Sequence, residues 1–280
     1  GILSALRLKG EKLDQQRIVI HGAGAAGLGI ARQIKAALRL DGVAEDDLHR
    51  CVALLDSRGL LVDDRPQSDA YKAELAWPLK TALEYGIDDD RSLEALVAGY
   101  RPTVLIGTSG QPGAFHEKLV RTMAAAVAAP VIMPMSNPTA SSEATPVDLV
   151  RWTDGRALMA TGSPFAPVEH GGRTIHIGQG NNVFVFPALG LGTLLAEAVE
   201  VSDAMITSAA HALAAQVTDA ELDRGLLYPD VGRLREITAV SAAAVCAEAF
   251  ERGHARGVRP ENLEAAARDA MWSPDYPNFI

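Results

Sequence analysis

The chain has 280 residues, of which 48% are apolar, and its 35 acidic and 26 basic residues give a net charge of −9. This composition is typical of a globular protein with a sizeable core, and an acidic chain without a Lys/Arg-rich block excludes nucleic acid as the expected partner. No apolar run reaches the roughly 18 residues of a membrane span, and no signal-like start precedes the first polar residues, so we expect a cytoplasmic protein without a membrane partner.

The chain opens on an apolar helical pattern. Ile2, Leu3, Leu6 and Leu8 recur at helical spacing without a preceding N-cap residue, which predicts a first helix over residues 1–16. Because the pattern begins without a cap, we expect the chain to continue a helix from upstream, as a fragment of a longer protein would.

The next elements form one βαβ unit. Buried strands and an amphipathic helix alternate in it, and in chain order they are a strand at 17–21, a glycine turn at 22–27, a helix at 28–40, a polar loop at 41–50 and a strand at 51–55. Such alternation predicts two parallel strands joined through a helix. Asp56 ends the second strand, and Ser57 and Gly59 form the turn after it.

The alternation continues and then gives way to helices. The following elements are a helix at 92–100, a strand at 103–106, a small-residue loop at 107–113, a helix at 115–128, a strand at 131–135, a helix at 146–152 and a strand at 157–160. Alanine-rich helical patterns then cover 189–199, 203–217, 231–252 and 260–271. The sequence therefore predicts a doubly wound, Rossmann-like parallel sheet with helices on both faces over 17–182, and a mainly helical C-terminal part over 183–280.

The glycine turn carries a dinucleotide signal. Gly22, Gly24 and Gly27 fit GxGxxG, in which the first glycine permits a tight turn, the second lets the backbone approach a pyrophosphate and the third allows close helix packing. Ala25 and Ala26 would bring the helix N-terminus toward the anion. The motif alone is weak, but its position between a strand and a helix favours a cofactor loop over a structural turn.

Asp56 is the candidate ligand for the adenosine ribose, because a carboxylate at the end of the second strand accepts ribose hydroxyls in such folds. Its separation from Gly27 exceeds the usual interval of about 20 residues, and the polar stretch 41–50 explains the excess. A turn-forming aspartate is the alternative. The neighbouring Ser57 and Arg58, with Lys72, could instead accommodate a 2′-phosphate.

Three further polar loops are candidate ligand-binding segments. The loops 107–110 and 136–139 follow strands at the edge where ligands collect in open parallel sheets, which makes them candidate nicotinamide-side loops. In 178–182, two adjacent amides between glycines and an apolar run suggest hydrogen bonds to a polar ligand, although a plain turn is the alternative. The candidate residues of these loops are Thr108, Ser109, Ser136, Asn137, Asn181 and Asn182.

Other residue types give no catalytic site. Cys51 and Cys246 lie in apolar patterns without CxxC spacing, so we predict two buried thiols. The histidines share no spacing that indicates catalysis or metal binding. The GxSxG, GK[ST] and HExxH patterns do not occur in the sequence, which disfavours hydrolase and kinase functions.

Taken in order, the motifs resemble the C-terminal NAD(P)-binding domain of malic enzymes along almost the whole chain. The matching segments are HGAGAAGLGIA at 21–31, LDSRGL at 55–60, IGTSGQPGAF at 106–115, SNPT at 136–139, ATGSPF at 160–165 and GQGNNVFVFPALGLG at 178–192.

The resemblance implies oxidative decarboxylation of L-malate to pyruvate and carbon dioxide with reduction of NAD or NADP, under a divalent Mg or Mn ion, in a homo-oligomer. It implies that Asn137 approaches nicotinamide and substrate, that Asn182 binds a malate carboxylate and that Asn181 contacts the cofactor. It implies that Gly22, Gly24, Ala25, Ala26 and Asp56 hold the adenosine and pyrophosphate. The family's acid tyrosine, base lysine, clamping arginine and metal carboxylates belong to an N-terminal domain, so we expect no catalytic residue and no metal ligand in this chain.

Two alternatives and the cofactor choice stay open at this point. A malolactic enzyme resembles the same half, although TGSPF favours malic enzyme, and a non-catalytic dinucleotide-binding module would need no general base. Asp56 favours NAD, whereas Arg58 and Lys72 favour NADP. Because Asp56 lies where ribose hydroxyls are expected, NAD is the expected cofactor.

Overall fold

The computed structural model describes residues 1–67 and 69–274, so residues 275–280 of the predicted helical part lie outside the described chain. The chain divides into two compact units. The first comprises residues 1–181 and 217–229, and the second comprises residues 182–216 and the chain from Asp230 onward. Residues 217–229, which the sequence pattern groups with the helical part, thus lie in the first unit.

The first unit is built on a parallel sheet. Its strands are β1 Ile18–His21, β2 Val52–Asp56, β3 Gly59–Leu60, β4 Val104–Gly107, β5 Val131–Pro134, β6 Leu158–Thr161, β7 Val168–His170, β8 Arg173–Ile175 and β9 Gly178–Gln179. Within the described residues, seven of them form one sheet in the order β3-β2-β1-β4-β5-β6-β9, and only β3 pairs antiparallel there. Strands β7 and β8 form a separate antiparallel hairpin.

The helices fall into two groups. In chain order they are α1 Ile2–Lys9, α2 Ala25–Leu40, α3 Glu45–Cys51, α4 Ala70–Leu75, α5 Leu79–Glu84, α6 Leu93–Tyr100, α7 Glu117–Ala126, α8 Pro146–Thr153, α9 Phe186–Leu195, α10 Asp203–Ala215, α11 Asp219–Asp223, α12 Leu234–Glu251 and α13 Leu263–Ala270. Helices α9, α10, α12 and α13 belong to the second unit and the others to the first. None of the described helices is long and apolar enough to cross a membrane.

Apolar clusters cover both faces of the sheet, which confirms the predicted doubly wound fold. Ile18 and Ile20 pack with Leu38 of α2 in one cluster, whereas Val19 between them packs with Leu96 of α6 in the other. Successive side chains of a strand point to opposite faces, so a fully buried strand needs helices on both sides.

Two predicted helices have different bounds. The helix predicted over 1–16 ends at Lys9, because Gly10 takes a left-handed conformation with φ 65° that terminates it. The helix predicted from residue 28 begins at Ala25, so the second half of GxGxxG is already helical.

Two predicted loops are wrong. Residues 41–50 were expected to be a loop, but Glu45–Cys51 is helical and carries three acidic residues in its first turn, where negative charge stabilises a helix. Residues 178–182 were expected to be a loop or turn, but Gly178–Gln179 forms the edge strand β9, parallel to β6.

The second unit is a helical layer packed through small residues. A Cβ at Gly192 of α9 would lie 2.6 Å from the carbonyl oxygen of Ala242 in α12, so these helices approach backbone to backbone. Alanines fill one of its clusters, with Ala188 and Ala239 fully buried. The four predicted helices are found with shifted bounds: 189–199 is observed at Phe186–Leu195, 203–217 at Asp203–Ala215 and 260–271 at Leu263–Ala270, and the first turn of 231–252 is a 3-10 turn.

Candidate functional site

The order of the strands creates a crevice at one edge of the sheet. The chain leaves β1 for β2 on one side and later returns to β4 on the other side of β1, so His21 pairs with both Leu55 and Gly107. Ligands bind at such a switch point, outside the carboxyl ends of the strands. The loops that follow β1 and β4 therefore border the candidate site.

The glycine loop after β1 fits tightly against the loop after β4. Gly22 has φ 119°, and a Cβ there would lie 2.5 Å from the backbone carbonyl carbon of Thr108. The Thr108 hydroxyl donates to the carbonyl oxygen of Gly22 at 2.9 Å. A Cβ at Gly27 would lie 1.8 Å from that same oxygen. Glycine is thus required at both positions by close approach of the backbone.

The N-terminus of α2 is open. Gly24 is its N-cap, and a Cβ at this position would have no protein atom within 4 Å. No side chain from the described residues caps the first turn, which contains Ala25 and Ala26 and carries no acidic group. The first-turn amides therefore have no side-chain cap, and the positive end of the helix dipole is available to an anion.

Asp56 lies at the end of β2 among cations. Its Oδ1 accepts the amide of Arg58 at 2.8 Å and Nη2 of Arg65 at 3.5 Å, and its Oδ2 accepts Nζ of Lys72 at 3.3 Å. Burial raises the pKa of this carboxyl, but the Arg58 amide and the Lys72 and Arg65 charges outweigh burial, so the pKa is lowered. Asp56 is therefore an anion that accepts three hydrogen bonds from the chain, and a carboxylate with about four acceptor positions has room for a further donor.

A cavity of about 530 Å³ lies beside the turn that follows Asp56. Ser57, Arg58 and Arg65 line it together with residues 88–92. Arg58 is half exposed, and its Nη2 lies 3.5 Å from Oδ2 of Asp56. The lining thus combines the carboxylates of residues 88–90 with the guanidinium groups of Arg58 and Arg65.

The loops after β4 and β5 are joined by a buried carboxylate. Oε1 of Glu143 accepts the amide and the hydroxyl of Ser109 at 2.8 and 2.9 Å and the hydroxyl of Ser136 at 2.5 Å. The amide of Gly110 donates to Oγ of Ser136 at 2.9 Å. Ser109 and Ser136, which the sequence proposed separately, therefore belong to one network.

Asn137 is oriented by the loop after β6. The Ser163 hydroxyl donates to Oδ1 of Asn137 at 2.5 Å, which leaves the amide nitrogen as the donor that can face a ligand. Nε2 of Gln179 in β9 donates to the carbonyl oxygen of Gly162 at 3.0 Å. The carboxyl ends of β4, β5, β6 and β9 are thus tied to one another.

Asn181 and Asn182 fall on different units. Asn181 ends the first stretch of unit one, and Asn182 begins unit two as the first residue of a 3-10 turn, Asn182–Phe184. Both are exposed. The predicted substrate contact of Asn182 and cofactor contact of Asn181 stay predictions.

Sequence reasoning missed Arg65, Glu143 and Ser163. Arg65 and Glu143 lie in irregular segments whose pattern gives no signal, because their roles depend on partners distant in sequence. Ser163 lies inside the TGSPF motif but received no role. The two cysteines are buried, as predicted.

The resemblance implies a divalent metal, and the described residues do not fit one by themselves. Across 1–67 and 69–274, no group of three or more His, Cys, Asp or Glu side chains converges to hold an ion. We therefore derive no chemical step through a metal from this chain.

A family model described as malic enzyme, NAD binding domain, matches residues 1–250. The chain belongs to this family. It is 43% identical over 279 residues to an NAD-dependent malic enzyme of Sodalis glossinidius, covering 99% of this chain and 49% of that protein. It is 41% identical over 279 residues to NAD-dependent malic enzyme 3 of Bacillus subtilis, again covering 99% of this chain and 49% of that protein. The chain thus spans about half the length of the curated relatives it matches.

Solved malic enzymes share the fold. The malic enzyme of Entamoeba histolytica superposes with a TM-score of 0.72 at 22% identity, over 96% of this chain and 49% of that one. The malic enzyme of Pyrococcus horikoshii superposes with a TM-score of 0.70 at 24% identity, over 95% of this chain and 55% of that one. The Rossmann-like architecture of this malic enzyme domain is therefore confirmed by structure as well as by sequence.

Proposed function

We propose that this malic enzyme NAD-binding domain holds NAD across the crevice between the loops after β1 and β4. The observation that carries the proposal is the uncapped N-terminus of α2, where a Cβ at Gly24 would meet no protein atom within 4 Å, which leaves room for a pyrophosphate. In this proposal Asp56, at the end of β2, accepts the hydroxyls of the adenosine ribose. The relatives quoted above are NAD-dependent, which agrees with that carboxylate.

The nicotinamide half would lie on the other side of β1. The loops bearing Thr108 and Ser109, and Ser136 and Asn137, follow β4 and β5 in that direction. NAD supplies the hydride acceptor when bound. The chain's own contribution is to orient the cofactor and, through the Asn137 amide, to donate to a polar group of nicotinamide or substrate.

The whole activity we propose is oxidative decarboxylation of L-malate to pyruvate and carbon dioxide, with Asn182 as the carboxylate ligand. The resemblance assigns the acid, the base and the metal ligands, Mg or Mn, to the half of the family that this chain does not span. The resemblance also supports a homo-oligomer, and we propose a cytoplasmic location.

The chain alone should lack the complete activity, because the resemblance assigns the acid, the base and the metal ligands to the other half of the family's proteins. The 280-residue chain alone should not form NADH from malate and NAD in the presence of Mg or Mn, because no general acid or base is assigned to it. Absorbance at the NADH band measures this. Sustained malate-dependent NADH formation would place the complete reaction in this chain.

The NAD site is tested at Gly24. A methyl group there meets no protein atom, so Gly24→Ala should leave the melting temperature nearly unchanged while weakening NAD binding at least about tenfold, or about 1.4 kcal/mol. Gly29→Ala is the matched control, since Gly29 lies in the same helix and its Cβ position is equally open. Equal NAD affinities for the two variants in calorimetric titration would contradict the proposed pyrophosphate position.

A further inference from the structure

Glu143 is a buried carboxylate outside the residues assigned to the cofactor. It is 0% exposed and lies after β5, beyond the Ser136–Asn137 loop. Its own backbone is held in place, because the amide of Phe115 donates to the Glu143 carbonyl oxygen at 3.0 Å. A charged side chain without solvent needs several donors around it.

The donors come from both nicotinamide-side loops. Oε1 accepts two groups of Ser109, after β4, and the hydroxyl of Ser136, after β5, while Oε2 lies 3.4 Å from the Ser136 amide. Charge-assisted hydrogen bonds are shorter and stronger than neutral ones. One side chain therefore joins the Ser109 and Ser136 segments of the two loops, in addition to the backbone hydrogen bonds from Met135 to Gly107 and from Phe115 to Glu143.

The strand end is shaped to admit this carboxylate. A Cβ at Gly107, the last residue of β4, would lie 2.5 Å from Cδ of Glu143. Any side chain at this position would push Glu143 out of reach of Ser109. Gly107, the first glycine of the IGTSG motif, thus leaves space for the Glu143 side chain. The glycine of this motif that needs a left-handed backbone is Gly110, with φ 65°.

We propose that Glu143 is a positioning residue that sets the nicotinamide half of the site, an inference that rests on the proposed dinucleotide function. Glu143 holds the Ser109 and Ser136 loops in register through their amides and hydroxyls. The adenosine half depends instead on the glycine loop and Asp56, and within the described residues Glu143 makes no hydrogen bond to either.

Glu143→Gln is the informative variant, because it keeps the size of the side chain but removes the charge and turns one oxygen into a donor that opposes the Ser136 amide. NAD and ADP, which lacks the nicotinamide nucleoside, are titrated into the chain. We expect the NAD dissociation constant to rise at least about tenfold, which equals about 1.4 kcal/mol, and that for ADP to change less than about twofold, below about 0.5 kcal/mol.

Glu221→Gln is the matched control. Glu221 is also buried and accepts the amide and hydroxyl of Thr218 at 2.7 and 2.9 Å, in a helix-capping contact of α11. Glu221→Gln should lower the melting temperature and change the dissociation constants for NAD and ADP by the same factor. If Glu143→Gln does not fold, Glu143→Asp is the second variant, because it keeps the charge but withdraws it by one methylene. The dissociation constant for NAD should again rise much more than that for ADP.

Three outcomes overturn the inference. Equal weakening of NAD and ADP by the Glu143 variant would show a merely structural carboxylate, and unchanged binding of both would show that the loops do not need it. If the wild-type chain bound neither ligand, the proposed function would fail, and this inference with it. Wild-type binding of both ligands separates the first two failures from the third.

Discussion

At the end of β2, Asp56 meets three cationic side chains within 3.5 Å. This neutralises a carboxylate that would otherwise repel a 2′-phosphate strongly. The same cations would attract that phosphate if the carboxylate were absent. Cofactor choice at this residue is therefore a balance between one anion and its neighbours, and not a property of Asp56 alone.

Asp56→Ala should shift the preference from NAD toward NADP. The change removes the acceptor for ribose hydroxyls and leaves Arg58, Arg65 and Lys72 without their carboxylate. We expect the ratio of the NAD and NADP dissociation constants to change in favour of NADP by at least about tenfold, or about 1.4 kcal/mol. Titration of the chain with each dinucleotide measures the ratio.

Asp89→Ala is the control for this prediction. Asp89 is exposed and lines the same cavity as Arg58, so its loss changes the local charge equally without removing the ribose acceptor. A proportional loss of both dinucleotides in Asp56→Ala, with the ratio unchanged, would show that the three cations do not face the 2′ position.

Among the elements, the α2–α3 pair contains a buried lysine whose charged form is destabilised by burial. Lys35 of α2 is 3% exposed, with Nζ 3.4 Å from Nδ1 of His49. Burial lowers its pKa from 10.5 to about 8, with Arg39 acting in the same direction and Glu74, Glu45 and Cys51 opposing it. Burial also lowers the pKa of His49, so His49 is neutral above pH 7.

Lys35→Met should stabilise the chain at pH 7 and lose this advantage as the pH rises. The unfolded state holds the Lys35 proton up to about pH 10.5 and the folded state only to about pH 8, so wild-type stability rises with pH between these values. The pKa of Lys35 is thus about 2.5 lower in the folded state than in the unfolded state, which corresponds to roughly 3 kcal/mol at pH 7. Urea unfolding at pH 7 and pH 10 measures it.

Lys118→Met on α7 is the matched control, because Lys118 is exposed and should change the free energy of unfolding by less than about 0.5 kcal/mol at either pH. If the stability difference between Lys35→Met and wild type were the same at pH 7 and pH 10, burial would not lower the pKa of Lys35 in the folded chain.

Local pattern predicted the elements whose signal is local. Strands β1 and β2, the glycine turn between β1 and α2, and the place of Asp56 all follow from apolar runs and turn residues next to one another. The helix α3 was missed because it is short and mostly exposed, so it carries no apolar stripe.

The hydrogen-bond network of the site was not predictable in the same way. Arg65 reaches Asp56 across 9 residues, Ser163 reaches Asn137 across 26, and Glu143 reaches Ser109 across 34. Such contacts depend on which strands become neighbours in the fold. A short stretch of sequence around one residue does not show which distant residue will contact it. The motif glycines and asparagines were visible, whereas the side chains that hold them were not.

At the scale of the whole molecule, the described chain separates into a sheet unit and a helical unit, and the chain first passes from one to the other between Asn181 and Asn182. The sheet unit contains the glycine loop, Asp56 and the Glu143 network, so the dinucleotide contacts we propose are concentrated in one compact body. Because the chain spans about half of its malic enzyme relatives, cofactor binding is the part of the proposed function that we expect it to show by itself.

Calorimetric titration of the purified 280-residue chain with NAD tests this account most directly. The account expects saturable binding of one NAD per chain, because the open N-terminus of α2, the glycine loop and Asp56 are all present in the sheet unit. A chain whose circular dichroism shows a folded α/β protein but which gives no saturable heat with NAD would contradict it.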